Sequence, residues 1–80
     1  MINEERLGDF IGFKERKEID KDYGMIVHDI SEVSDGKAYI NFFRKFLESE
    51  GYEISLIVPV SNWGYALVYR PTGSFLEEVA

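Results

Sequence analysis

The chain has 80 residues, fifteen of them acidic and nine basic, for a formal charge of −6, and it contains no cysteine. One domain of this size buries only about 60 to 65% of its unfolded surface, and with neither disulfide nor thiolate metal site to brace it, its stability must come from packing, within the chain or between copies. The negative charge argues against nucleic-acid phosphates and anionic membrane surfaces as main partners, no apolar run reaches the ~18 residues of a membrane span, and the start Met-Ile-Asn-Glu-Glu lacks the pattern of a secretory signal, so a cytoplasmic protein is expected.

Residues 1–22 form a charged N-terminal segment in which Lys14-Glu15-Arg16-Lys17-Glu18 interleaves signs. Leu7, Phe10 and Ile11 stand at helical spacing and suggest a short amphipathic helix. Gly8 and Gly12 each cost about 1 kcal/mol inside a helix, so Phe10-Ile11-Gly12-Phe13 could equally open an extended segment that pairs with the next strand. Asp20-Lys21-Asp22 ends the segment in either case.

A core of β-α-β-β order follows over residues 23–71. Met25 to Ile30 reads as a strand, with Ile26, His28 and Ile30 on one face and Met25, Val27 and Asp29 on the other. Ser34 and Asp35 offer N-cap oxygens to a helix from Gly36 to about Glu50, whose Tyr39, Phe42, Phe43, Phe46 and Leu47 repeat at i, i+3, i+4, i+7 and i+8 and should lie across a sheet. Gly51 suits the left-handed position after a helix. The strand Tyr52 to Val60 then alternates, placing Tyr52, Ile54, Leu56, Val58 and Val60 on one face and Glu53, Ser55, Ile57 and Pro59 on the other. Ser61-Asn62-Trp63-Gly64 breaks the pattern as a hairpin turn, and Gly64 to Arg70 returns with Tyr65, Leu67 and Tyr69 opposite to Ala66, Val68 and Arg70. Pro71-Thr72-Gly73 stops it, leaving residues 72–80 as a tail with Phe75, Leu76 and Val79. The fold class expected is α+β, a small antiparallel sheet of about three strands packed by one amphipathic helix, with an extra N-terminal helix or strand.

The helix end Glu50-Gly51-Tyr52-Glu53, the run Leu56-Ile57-Val58-Pro59-Val60 and the strand end Tyr69-Arg70-Pro71 resemble a family of small bacterial and phage proteins, a domain of unknown function with an EGWELV-like turn and a last strand ending in aromatic-Lys-Arg. The match spans about Tyr23 to Pro71, with Tyr52 where the family has Trp, and residues 1–22 have no counterpart. The resemblance implies a helix on a small antiparallel sheet and transfers no activity.

His28 is the sole histidine and has no cysteine or glycine-flanked nucleophile to work with, so it reads as a packed sheet residue. Asp29, Glu32 and Asp35 lack the spacing of a calcium loop and read as turn carboxylates, and neither phosphate-binding glycine pattern is present. No catalytic residue, metal ligand or cofactor is therefore expected. Trp63, Tyr65, Tyr69 and Arg70 are the candidate partner- or ligand-binding residues, rings to anchor or stack and a guanidinium for phosphate or carboxylate. Against this stands the plainer reading that Trp63 folds back on the sheet edge.

One helix covers one face of a sheet, yet each of these strands carries apolar residues on both of its faces: Ile26 and Ile30 opposite to Met25 and Val27, and Leu67 opposite to Ala66 and Val68. Either the N-terminal segment or a second copy must cover the remaining side, and a homodimer or higher homo-oligomer is the simpler expectation. The function expected is a non-catalytic interaction module, such as a small phage or mobile-element inhibitor of a host protein. The alternative is a binder of a phosphorylated or planar small molecule in pockets between subunits.

Overall fold

The computed structural model describes residues 2–20 and 23–72. It is an α+β fold in which α1 (Glu4–Leu7), β1 (Phe13–Glu18), β2 (Gly24–Asp29), α2 (Gly36–Ser49), β3 (Tyr52–Val60) and β4 (Gly64–Pro71) follow in order. The strands form one antiparallel sheet in the order β1-β2-β4-β3, so the β-α-β-β core has the expected elements and β1 adds a fourth strand from the N-terminal segment. The helix expected from Leu7, Phe10 and Ile11 is a single turn that ends at Leu7, with Phe10 and Ile11 in the turns beyond it and Ile11 76% exposed, and the extended alternative is realised from Phe13 onward. The tail's Phe75, Leu76 and Val79 lie outside the described residues.

The helices begin and end where local chemistry directs. Asn3 caps α1 by accepting from Glu5 N–H (3.1 Å) and Arg6 N–H (3.4 Å), and Asp35 caps α2 by accepting from Ala38 N–H at 3.1 Å. Gly51 follows α2 at φ +90°, the left-handed position that costs an L side chain most, and lets the chain turn into β3.

Antiparallel register sorts the side chains, since residues directly opposite one another project to the same side. Facing α2 are the rows Arg16-Ile26-Leu67-Ile57 and Phe13-His28-Tyr65-Pro59, with Tyr69 and Ile54 beyond them. Facing away are Lys17-Met25-Val68-Leu56 and Glu15-Val27-Ala66-Val58. The core lies on the α2 side, where Ile26, Leu67 and Tyr69 meet Phe43, Phe46 and Leu47.

Two expectations are corrected, one by the register and one by the setting of α2. Tyr52, Ile54, Leu56, Val58 and Val60 do not share a face: Ile54 pairs with Tyr69 but Leu56 pairs with Val68, so Ser55 is an extra residue and the alternation inverts there. Tyr52 and Ile54 pack on the core, whereas Leu56 and Val58 project from the opposite side. Phe42, included in the helix stripe, is 65% exposed. It sits about 100° around the helix from Phe43, outside the arc that the sheet covers.

The N-terminal segment settles on α2's side of the sheet. Ile2 and Leu7 are buried in the same cluster as Phe43, Phe46 and Leu67, and Phe10 packs against it. Asn3 N–H donates to Glu50 at the end of α2 (2.9 Å), and the Arg6 guanidinium lies 4.9 Å from the centre of the Phe46 ring. Arg16 on β1 closes the core's border, with Nε donating to the Tyr69 hydroxyl at 2.9 Å and its guanidinium paired with Glu4. The segment therefore adds to the face that α2 covers, and among the described residues no helix or strand packs over the other side of the sheet.

Candidate binding surfaces

The four residues singled out by their chemistry are dispersed. Trp63 is half-buried in the β3–β4 turn, its carbonyl accepting from Ile30 N–H at 2.8 Å, and Lys14 Nζ lies 5.4 Å from its ring centre. Lys14 is itself the extra residue where β1 shifts register, so the bulge brings its ammonium to the turn. Tyr65 is half-buried on the α2 side. Tyr69 is 2% exposed, its ring set edge-on to Tyr52 with centroids 5.4 Å apart and its hydroxyl held by Arg16, which makes it a core residue. Arg70 projects away from α2 and pairs with Glu53 at 3.5 Å.

His28 is fully buried among Phe10, Phe13, Tyr39 and Phe43. Gly12 N–H donates to the Tyr39 hydroxyl at 3.0 Å, and that hydroxyl lies 2.7 Å from His28 Nδ1. The Tyr39 hydroxyl thus bridges the Gly12 N–H and the His28 ring, accepting from the first and sharing one proton-mediated contact with Nδ1. Nε2 has no hydrogen-bond partner among the described residues. Gly12 is required by close approach, since a Cβ there would stand 2.5 Å from the Asp29 carbonyl and 3.0 Å from the Tyr39 oxygen. Burial pushes the His28 pKa down from 6.5 to about 4, so the ring stays neutral near neutral pH. It ties β1, β2 and α2 together.

Asp29 and Asp35 each have a local backbone task. Asp29 accepts from Ser31 N–H (2.9 Å) and the Ser31 hydroxyl (2.6 Å), and these bonds lower its pKa, while Asp35 caps α2.

Two surfaces are open to a partner. The first is the sheet face away from α2, where half-buried Met25 and Val68 with Leu56 (55% exposed) and Val58 (41%) present apolar surface around Val27 and Ala66, which are themselves buried among their neighbours. No described element lies over it. Glu15 and Lys17 stand at its β1 margin, and neither forms an ion pair with a described residue. The second is a groove between the N-terminal half of α2 and the end of the β3–β4 hairpin, bounded by Ile30, Ile40, Ile57 and Tyr65 with Lys37, Asn41 and Arg44 along α2. Of the four nominated residues only Tyr65 reaches it. The polar members escape a search by residue type because they look like a solvated helix side; their spacing of i, i+4 and i+7 next to the apolar stripe is the available signal.

No helix among the described residues is long and apolar enough to cross a membrane. No protein-family model, no curated protein and no solved structure matches the chain.

Proposed function

We propose that this protein is a non-catalytic interaction module that works as a homodimer, joined through the sheet face away from α2. The observation behind this reading is the apolar surface that Met25, Val68, Leu56 and Val58 present on that face, together with the docking of the N-terminal segment on the other side. Contiguous apolar area of this kind is seldom left in water by a monomer.

A second copy fits the face by its charge pattern. The two cross-strand rows begin with opposite charges, Lys17 ahead of Met25-Val68-Leu56 and Glu15 ahead of Val27-Ala66-Val58. A two-fold axis in the plane between the sheets, perpendicular to the strands and midway between the rows, lays each row on the other row of its mate. Lys17 of one copy then meets Glu15 of the other, twice, and apolar residues meet apolar residues across the ~10 Å spacing of packed sheets. Association edge to edge is less favoured, because β1 is short, charged and bulged, and β3 has both a bulge and Pro59. The chain's shortness and its net charge of −6 favour a host protein as the target that such a dimer would engage. The small-ligand alternative draws its support from the groove beside α2 rather than from Trp63 and Arg70.

Sedimentation equilibrium tests the dimer. The native chain is expected to run as a dimer, Leu56→Lys as a folded monomer, Lys17→Glu as a weakened dimer, and the exchange Glu15→Lys with Lys17→Glu as a restored one. A monomeric native chain, or a dimer indifferent to Leu56→Lys, would overturn the reading.

A further inference from the structure

The groove beside α2 differs in chemistry from the open sheet face. α2 is seated on the sheet by Phe43, Phe46 and Leu47 in its C-terminal half, whereas its first turns stand off β3, leaving Ile57 37% exposed although its row faces the helix. The space between is an open groove of about 920 Å³. Its apolar surface comes from Ile30, Ile40, Ile57 and Tyr65. Its size lies within the ~300 to 1,000 Å³ of small-molecule sites, and an apolar floor with a few polar groups on one side is their usual composition.

Its charges give the occupant a sign. Lys37 and Arg44 are two turns apart on the same side of α2, and neither makes an ion pair with a described residue. The one carboxylate on the groove among the described residues, Asp35, has an oxygen engaged as the N-cap of α2. A chain of net charge −6 thus presents two uncommitted cations over an apolar floor. The geometry points to a small amphipathic carboxylate as the ligand of this groove, its apolar body on Ile40, Ile57 and Tyr65 and its carboxylate between Arg44 and Lys37. Arg44 supplies a planar fork of N–H donors that matches a carboxylate, and Lys37 a second positive charge. A neutral or cationic body of the same shape would cover the apolar floor while drawing water from cations that it cannot pair.

Decanoate is a suitable probe, titrated into the isotopically labelled full chain and followed by amide chemical shifts. The expected result is saturable binding with the shifts concentrated at Ile40, Arg44, Ile57 and Tyr65. Replacing Lys37 and Arg44 by Ala, at exposed helical positions where alanine favours the helix, should weaken decanoate about tenfold or more, the effect of losing a charge-assisted hydrogen bond. Decanol and decyltrimethylammonium should bind correspondingly less tightly than decanoate. Leu56→Lys, which lies on the other side of the sheet, should bind decanoate as the native chain does, so this result and the dimer are tested separately. Unchanged affinity in the Lys37 and Arg44 variant, equal binding of decyltrimethylammonium, or shifts centred on Met25 and Val68 would each overturn the proposal.

Discussion

The two faces of the sheet are built from the same four strands and differ in what each residue is asked to do. On the α2 side the packing is mutual and varied: Phe43 meets Phe10 edge-on at 4.8 Å and His28 at 4.2 Å, Arg16 anchors Tyr69, and Tyr39 joins Gly12 to His28. On the other side Met25, Val68, Leu56 and Val58 surround buried Val27 and Ala66 without an aromatic ring, and the charges at its β1 margin form no ion pair with a described residue. The difference teaches that burial by itself does not mark the functional side of a small sheet. The face with the more elaborate contacts specifies the fold and still leaves a groove at one end of α2, while the plainer face has no described element over it.

The comparison is broken most severely at Phe43. Phe43→Ala removes a fully buried ring at the meeting point of α2, β2 and the N-terminal segment, and a loss of roughly 3 to 5 kcal/mol in urea unfolding is expected. The domain's whole stability is of that order, so unfolding of this variant near room temperature would be consistent with the assignment, and a loss below about 1 kcal/mol would contradict it.

Acid strains the same side. His28 has its pKa lowered from 6.5 to about 4 by burial, so between these values the unfolded chain takes up a proton that the folded chain refuses. Its contribution is fully present above pH 6.5 and is lost as pH falls towards 4, on the order of 3 kcal/mol at the acid end. Urea midpoints across this range should fall for the native chain and fall less for His28→Phe, which has no proton to gain; parallel curves would show that other groups govern the acid response.

Tyr39→Phe is a milder probe, keeping the ring but leaving Gly12 N–H and His28 Nδ1 without their shared partner. About 1 to 3 kcal/mol is expected, with faster hydrogen exchange at Gly12 as the local sign. Leu56→Lys sharpens the contrast from the other side: placed on an exposed position, it should shift the stability of the isolated fold by no more than about 0.5 kcal/mol while abolishing the dimer. A large destabilisation of the monomer by Leu56→Lys would mean that the two faces are not divided as described.

Much of the fold was legible because its signals are local. Asp35 ahead of an apolar repeat marks the start of α2, Gly51 marks its end, and the polar break at Ser61 to Gly64 marks the hairpin; each acts through its own backbone or its nearest neighbours. The strand Tyr52 to Val60 was found at its observed bounds, yet its inner and outer residues were assigned by unbroken alternation, and a single extra residue at Ser55 inverted the second half. Nothing in Glu53-Ile54-Ser55-Leu56 announces a bulge, because a bulge is defined by the partner strand. The groove is not legible in the sequence: the expected pockets lie between subunits, and Lys37 and Arg44 come beside Tyr65 only when α2 is laid next to Ile57.

The sequence by itself determined where the principal helix and strands run, that Phe43, Phe46 and Leu47 turn inward, and that a single helix leaves one sheet face in need of cover. Only the tertiary structure decided which face that is. Ile2, Leu7 and Phe10 could in principle have shielded either side, and they joined α2 because the large ring surfaces of Phe43 and Phe46 and a hydrogen bond to Glu50 were there to receive them. Helical periodicity and capping depend on residues a few positions apart and can be read along the chain; register, bulges and the choice of face depend on partners tens of residues away, whose meeting exists only once the sheet has formed.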